Sequence, residues 1–473
     1  MAVTAAAVRV DAAPDWPTWR EWCARASEGS PGGTQAAGDE TQWRSRLAAA
    51  DLALVAGVDG RPAGLLEAAL GYGGEAVVTS LWISDAAPHP REAADALMTA
   101  LLAWAARQPS VDRVVVTGVE DDPRTDELCR RHGFDTVAGG TGPGVAAAGG
   151  RVLVRRLPYR VRVGVHSGQQ YRDFASIRDL WTAAEALGFD WVSLFDHLRP
   201  PIFGPAGPCF DGPTLLSALA AATGRVRCAL MVSPVVWRHP ALTATIAATL
   251  DHVSGGRFEL GVGVGGSDLA FEQYGIEQPP LSVRFRQLDE ACHVLRLLLN
   301  GGPADYEGQH FRLAGAHLDP RPLQRRLPLV LGGSGERGTL PLVARHADAW
   351  NVALMPVERY SRAVDVLSEL CAQAGRDVGN IRRSMTFRAV IRPDEVAAAR
   401  ARDRLSANAD GHGPDLPEYL SFGSAQECLD RLAPYVELGV RDFLLGLRPP
   451  VDRETMEAFA EQVAPWLRKM VTA

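Results

Sequence analysis

The chain has 473 residues, 47% of them hydrophobic and 22% charged, which is ordinary globular usage and more than one hydrophobic core usually organises. A net charge of -7, with basic and acidic residues interspersed, leaves no electrostatic footprint for nucleic acid or an anionic membrane, and no apolar run approaches a membrane span. The expectation is a soluble, unsecreted, cytoplasmic protein of two domains whose partners are small molecules.

From Leu52 the pattern is strand-like: LALVAGVDGRPAGLLEAAL carries two apolar segments around Asp59-Gly60, a hairpin turn signal, and AVVTSLWI follows as a third strand. REAADALMTALLAWAARQ has apolar residues at helical spacing, VDRVVVTGV reads as a strand, and DPRTDELCRRHGF as a short helix closing on Gly133. The glycine-rich run 139–150 reads as a long hairpin loop, because RVLVRRL after it is a strand belonging with FDTVAG. This half is therefore expected to be α+β with a mostly antiparallel sheet, and the domain boundary falls near Leu157 to Arg160, giving residues 1–157 and 158–473.

Beyond that boundary short apolar strands alternate with amphipathic helices, the signature of a parallel sheet. Strands are expected at VRVGVH, DWVSLF, VRCALMV, RFELGVG, PLVLGG, DAWNVA, RRSMTFRAVI and RDFLLGL. Eight such units suit a closed (β/α)8 TIM barrel, with the extra length at 263–281, 301–327 and 405–420. In such barrels the reactive end is the one where the strands finish. Asp196 and His197 end the second strand, His166 and Ser167 the first, and Ser233 and Pro234 the third; Val264, Gly265 and Gly266 follow the fourth. The turn GGSGERG, with Gly332, Gly333, Ser334 and Arg337, precedes a helix and could hold a phosphate.

Composition prunes the chemistry. Lys469 is the only lysine among 49 basic residues, so Schiff-base, pyridoxal-phosphate and P-loop mechanisms lack the amine they need. Seven scattered cysteines form no C-x-x-C pair and eleven histidines no H-E-x-x-H, so a metal is not expected.

The runs ALGFDWVSLFDHL, RHPALTATIAATLDHVSGGRFELGVGVG, PPLSVRFRQLDEACHVLRLLL, YEGQHFRL and GGSGERGTLPLVARHADAWN, in that order, resemble the luciferase-like monooxygenase superfamily, in particular its branch using the deazaflavin coenzyme F420. The resemblance implies a TIM barrel with Asp196 and His197 beside the deazaflavin ring, His197 being the better candidate for proton transfer. It implies a non-proline cis peptide at Leu230 to Met231 buttressing the ring. His166, Val264, Gly265 and Gly266 would then line the ring, and Gly332, Gly333, Ser334 and Arg337 would hold the cofactor phosphate. Hydride transfer at C5 of the deazaflavin is the implied chemistry, with reduced FMN and oxygen as the alternative. After the fourth strand GGSD stands where many relatives have an aromatic and a carboxylate, and Glu272 is either the family's later acid or an exposed loop carboxylate.

The first half resembles the GCN5-related N-acetyltransferase fold through ISDAAPHPREAADALMTALLAWA and ELCRRHGF. Its acetyl-CoA segment normally reads R/Q-x-x-G-x-G/A; here Arg91, Ala94 and Ala96 occupy those places, and Glu92 and Asp95 add negative charge where a pyrophosphate would sit. Cys129 stands where the family often has a tyrosine acid, and Glu67 and Glu75 are candidate bases. The expectation is a domain that has lost acetyl transfer and serves to bind an acyl donor, shape the barrel entrance or form a homodimer. The contrary possibility is a working acetyltransferase with the barrel as a ligand-binding scaffold.

Overall fold

The computed structural model describes residues 8–12, 50–58, 61–71, 74–83, 89–108, 111–119, 123–137, 151–200, 207–266, 270–407, 420–447 and 449–470. The Asp59-Gly60 turn and the glycine-rich run 139–150 lie outside them. The chain divides into two compact units, Met1–Pro158 and Tyr159–Ala473. No helix among the described residues is long and apolar enough to cross a membrane.

The first unit is built on a seven-stranded sheet of β1 (Val8–Ala12), β2 (Leu52–Val58), β3 (Arg61–Leu70), β4 (Glu75–Ile83), β5 (Arg113–Val119), β6 (Asp135–Val137) and β7 (Arg151–Arg156). The order is β1-β2-β3-β4-β5-β7-β6, antiparallel except for the parallel β4–β5 pair. Strand β1 lies outside every segment expected from the sequence. The helix Pro90–Arg107 buries Ala93, Ala94, Leu97, Met98 and Leu101 at helical spacing in a core shared with Ala56, Leu66, Val78 and Val114 of the sheet.

In the second unit all eight expected strands form: β8 (Arg162–Ser167), β9 (Trp191–Leu194), β10 (Arg227–Pro234), β11 (Phe258–Gly263), β14 (Leu329–Gly332), β15 (Ala349–Ala353), β16 (Arg382–Ile391) and β18 (Val440–Leu447). Each pairs in parallel with the next, and β18 pairs with β8, so the sheet closes into a TIM barrel. The antiparallel hairpin of β12 (Ala304–Glu307) and β13 (Arg312–Ala316) occupies the 301–327 insertion, and β17 (Leu420–Gly423) extends β16 beyond the barrel.

Strand alternation separates two apolar compartments. Val163, Val165, Val192, Leu194, Cys228, Leu230, Phe258, Leu260, Met385 and Phe387 face the helical ring and belong to the large outer core. Trp191, Ala229, Met231, Val330, Ala349 and Leu444 form a second, smaller cluster that fills the lumen. Beneath it, at the starts of the strands, lies a buried charge network. Arg162 donates to Asp442 at 2.6 and 2.8 Å and to Glu259 at 2.8 Å; Arg227 donates to Glu259 and Arg382 to Asp442. The Arg162 guanidinium also lies over the Trp191 ring at 5.1 Å. Burial alone would raise the Glu259 pKa, but Arg162 and Arg227 outweigh it and hold the carboxyl at about 2.

Candidate active site

The other end of the lumen is different. The inward positions of β8 and β9 bring His166 and Ser193 together, with Nδ1 of the imidazole 2.9 Å from the hydroxyl. On β15 and β16, Asn351 donates to Ser384 at 2.7 Å and to Thr386 at 3.2 Å. Between these polar groups the wall is glycine: Gly261 and Gly263 on β11, Gly332 on β14 and Gly446 on β18. A Cβ at Gly263 would stand 2.8 Å from a Val232 methyl carbon and one at Gly332 2.9 Å from another, so the glycines make room for Val232. Val232 packs on the lumen cluster beside Met231, giving an apolar shelf near the mouth.

The non-proline cis peptide is at Met231–Val232, which corrects the expected position, Leu230 to Met231, by one residue. Leu230 is still in register with Leu260 of β11, and pairing resumes only at Ser233, so the irregularity falls on residues 231 and 232. Leu230 faces the outer core, and of the two named residues only Met231 borders the lumen.

Asp196 and His197 follow β9 directly, yet they face different surroundings. Asp196 is fully buried, and its carboxylate accepts hydrogen bonds from Ser233 Oγ at 2.5 Å and from both terminal nitrogens of Arg238 at 2.5 and 3.2 Å. Arg238 reaches Asp211, the cap of the next helix, at 3.1 Å, and Trp237 donates to the Asp196 carbonyl at 3.0 Å. A carboxylate with a bidentate guanidinium and a hydroxyl on it is a fixed anchor for its loop. His197 is half-buried, with its ring edge-on to Phe195 at 5.3 Å. Phe195 is also the ring neighbour of His166, at 6.5 Å, so one aromatic ring borders both imidazoles.

After β11, Val264 and Gly265 are half-buried and Gly266 is exposed. Their carbonyls are gathered by a single buried side chain, Arg284, at 3.2, 2.5 and 3.4 Å, which also donates to the Pro279 carbonyl at 3.0 Å. Arg284 lies in the first turns of the helix Leu281–Asn300, within PPLSVRFRQLDEA, and only the fold shows it turned back onto the strand end. After β14, Gly333 has φ +121° and its carbonyl accepts from the Trp350 indole at 2.8 Å. Gly333 is exposed, Ser334 half-buried, Arg337 exposed, and the helix Thr339–His346 begins directly afterwards. Glu272 is exposed in the short helix Ala270–Gln273.

These features fit a planar cofactor with a phosphate-bearing tail. The shelf of Met231 and Val232 is apolar, a Cβ at Gly266 would meet nothing within 4 Å, and the turn 332–338 offers backbone at a helix start.

In the first unit, the helix Pro90–Arg107 starts without a side-chain cap, Arg91 is exposed and Ala94 is packed into the core. Ala96 is half-buried, and Asp95 is tied to Arg131 and His132 at 2.9 Å each. Burial pushes the Cys129 thiol up to about 12, a poor proton donor at neutral pH. Glu75 is buried in an ion pair with Arg113 at 3.1 Å, and Glu67 is buried on β3.

Comparison with known proteins agrees with the barrel. F420-dependent glucose-6-phosphate dehydrogenase of Microbacterium testaceum is 28% identical over 338 residues, covering 65% of this chain and 98% of its own. The pyrimidine monooxygenase RutA of Rhizobium rhizogenes is 30% identical over 243 residues, 49% of this chain and 64% of its own. Among solved structures, an F420-dependent secondary alcohol dehydrogenase in complex with an F420–acetone adduct superposes with TM-score 0.57 at 21% identity, covering 64% of this chain and 98% of that one. Riboflavin lyase RcaE superposes with TM-score 0.58 at 19% identity, over 66% and 92%. At these identities the two structures speak for the fold alone. Residues 156–422, more than half of the sequence, match the family described as luciferase-like monooxygenase, and the chain therefore belongs to that family.

Proposed function

We propose that the barrel is an F420-dependent oxidoreductase acting on a small organic molecule, with His197 as the proton-handling residue and Asp196 as its positioning residue. The observation that carries this reading is the asymmetry of the adjacent pair: Asp196 is fully buried and bonded by Ser233 and Arg238, while His197 is half-buried at the mouth with its ring edge-on to Phe195. A relative named for F420 dependence that aligns along 98% of its own length supports the choice of cofactor.

Met231 and Val232 would support the ring, His166 with its Ser193 partner would face its edge, and Gly265, Gly266 and the turn from Gly332 to Arg337 would hold the tail. When bound, the deazaflavin would supply hydride transfer at its C5. The protein's part is to exclude water through the shelf, to keep the loop after β9 rigid through the Asp196–Arg238 pair, and to hold or move a proton at the His197 imidazole.

Reduced FMN with oxygen is the rival, and a solved neighbour carrying a modified FMN keeps it in view. Measuring the affinity of the purified protein for each cofactor decides between them. Tight F420 binding with none for FMN is expected; the reverse result overturns the choice.

For residues 1–157 we propose an acetyltransferase-like fold without acetyl transfer. Support comes from Cys129, whose thiol is buried and held protonated, and from Glu75, which is engaged by Arg113. Calorimetry with acetyl-CoA tests this: no binding, or binding without turnover, is expected, and turnover would overturn it.

A further inference from the structure

Among the described residues of the barrel strands, Arg388 is a lumen-facing arginine near the mouth, and its position is unlike that of the arginines at the opposite end. Along β16, Arg382 reaches the lumen network, Ser384 and Thr386 bond Asn351, and Met385, Phe387 and Ala389 face the outer core. By strand alternation the next inward position is 388. The stem of Arg388 confirms that direction: a Cβ placed on Gly446 of β18 would meet Arg388 Cγ at 3.5 Å. Gly446 in turn is in register with His166 on β8. The guanidinium is thus carried across a glycine toward the strand that bears His166.

Among the described residues Arg388 has no hydrogen bond or ion pair, whereas Arg162, Arg227 and Arg382 are all paired with carboxylates. Burial lowers the Arg388 pKa. A partly buried cation without a counter-charge costs stability, and such a cost persists where a ligand supplies the missing charge.

We propose that Arg388 is an anion-recognition residue of the substrate site, so that the molecule turned over at the mouth carries a carboxylate or phosphate group. This deepens the oxidoreductase reading and rests on it for the identity of the site. The planar fork of a guanidinium suits either anion through two parallel donors. The cofactor's own phosphate is the competing source of negative charge, and the experiment separates the two.

The test uses the full chain saturated with F420, so that the turn from Gly332 to Arg337 is already engaged, titrated with inorganic phosphate and with acetate against chloride at matched ionic strength. The readouts are anion affinity, from the concentration-dependent rise in Tm, and F420 affinity, measured separately. Wild-type protein is expected to bind at least one of the anions, Arg388→Gln to bind it about tenfold or more weakly, and Arg388→Lys to recover part of the loss. Arg388→Gln should retain F420 affinity and melt at an equal or higher temperature without anion, which shows that the variant is folded. Equal anion affinity in wild type and Arg388→Gln overturns the proposal, as does F420 affinity that falls in Arg388→Gln together with anion binding abolished by F420. If the chain takes up no F420 the cofactor reading fails, and the same titration on the chain alone still decides the role of Arg388.

Discussion

The two ends of the barrel lumen use the same residue types for opposite purposes. Where the strands start, Arg162, Arg227 and Arg382 are cross-linked to Glu259 and Asp442 in a closed network under Trp191. Where they finish, Arg388 has no counter-charge among the described residues, the inner wall is glycine, and two imidazoles share one phenylalanine. A charge whose partners are built in holds the fold; a charge with no counter-charge among the described residues can be met by a ligand. The Asp196–Arg238 pair is an instance of the first kind placed among the second, which is why adjacent residues of the sequence are assigned different roles.

Breaking the closed end has the largest expected effect. Arg162→Ala removes the residue that links the two carboxylates, leaving Glu259 to Arg227 and Asp442 to Arg382 with fewer donors in a buried site, and should cost about 3–5 kcal/mol in denaturant unfolding of the barrel; a loss under about 1 kcal/mol would mean the network is not what stabilises this end. The same end can be probed by pH. The folded-state pKa of Glu259 is depressed from its ordinary 4.5 to about 2, so its contribution is fully present above 4.5 and disappears as pH falls toward 2. Melting temperature followed across that window should drop in the wild type and drop less in Glu259→Gln.

At the open end, His197→Ala should leave folding and F420 affinity intact while turnover falls about 10²- to 10⁴-fold. Unchanged turnover would remove His197 from the mechanism. Gly261→Ala tests the wall between the two ends: its Cβ would overlap the Leu230 carbonyl oxygen, and a cost of about 1–3 kcal/mol is expected, read by thermal unfolding. The smallest effect is assigned to Arg337→Ala. This exposed side chain should change stability by no more than about 0.5 kcal/mol, and any effect should appear in cofactor affinity, weakening at high salt.

Much of the barrel was legible because its strands are buried on both faces and read as continuous apolar runs between amphipathic helices. WVSL and FELGVG are buried at every position, and all eight expected strands are present. Strand β1 was not legible: five residues, VRVDA, carry too little periodicity to stand apart, and their pairing with β2 spans more than 40 residues of sequence. The cis bond lies one residue beyond its expected place because a strand irregularity has no one-letter signature. Arg284 and Arg388 are not legible in the sequence for another reason. Among 48 arginines, one that gathers three carbonyls and one that has no partner among the described residues look alike until the strands are closed.

The sequence by itself determined the alternation of strands and helices, the near absence of lysine and the placing of FDWVSLFDHL at a strand end, because periodicity and composition are local properties. Tertiary structure decided which charges cancel. Asp196 meets Arg238 across 42 positions and Arg162 meets Asp442 across 280, and only barrel closure brings such residues within hydrogen-bond distance. The same closure sets Arg388 beside Gly446 with no ion pair among the described residues, and so separates it from the arginines that hold the barrel.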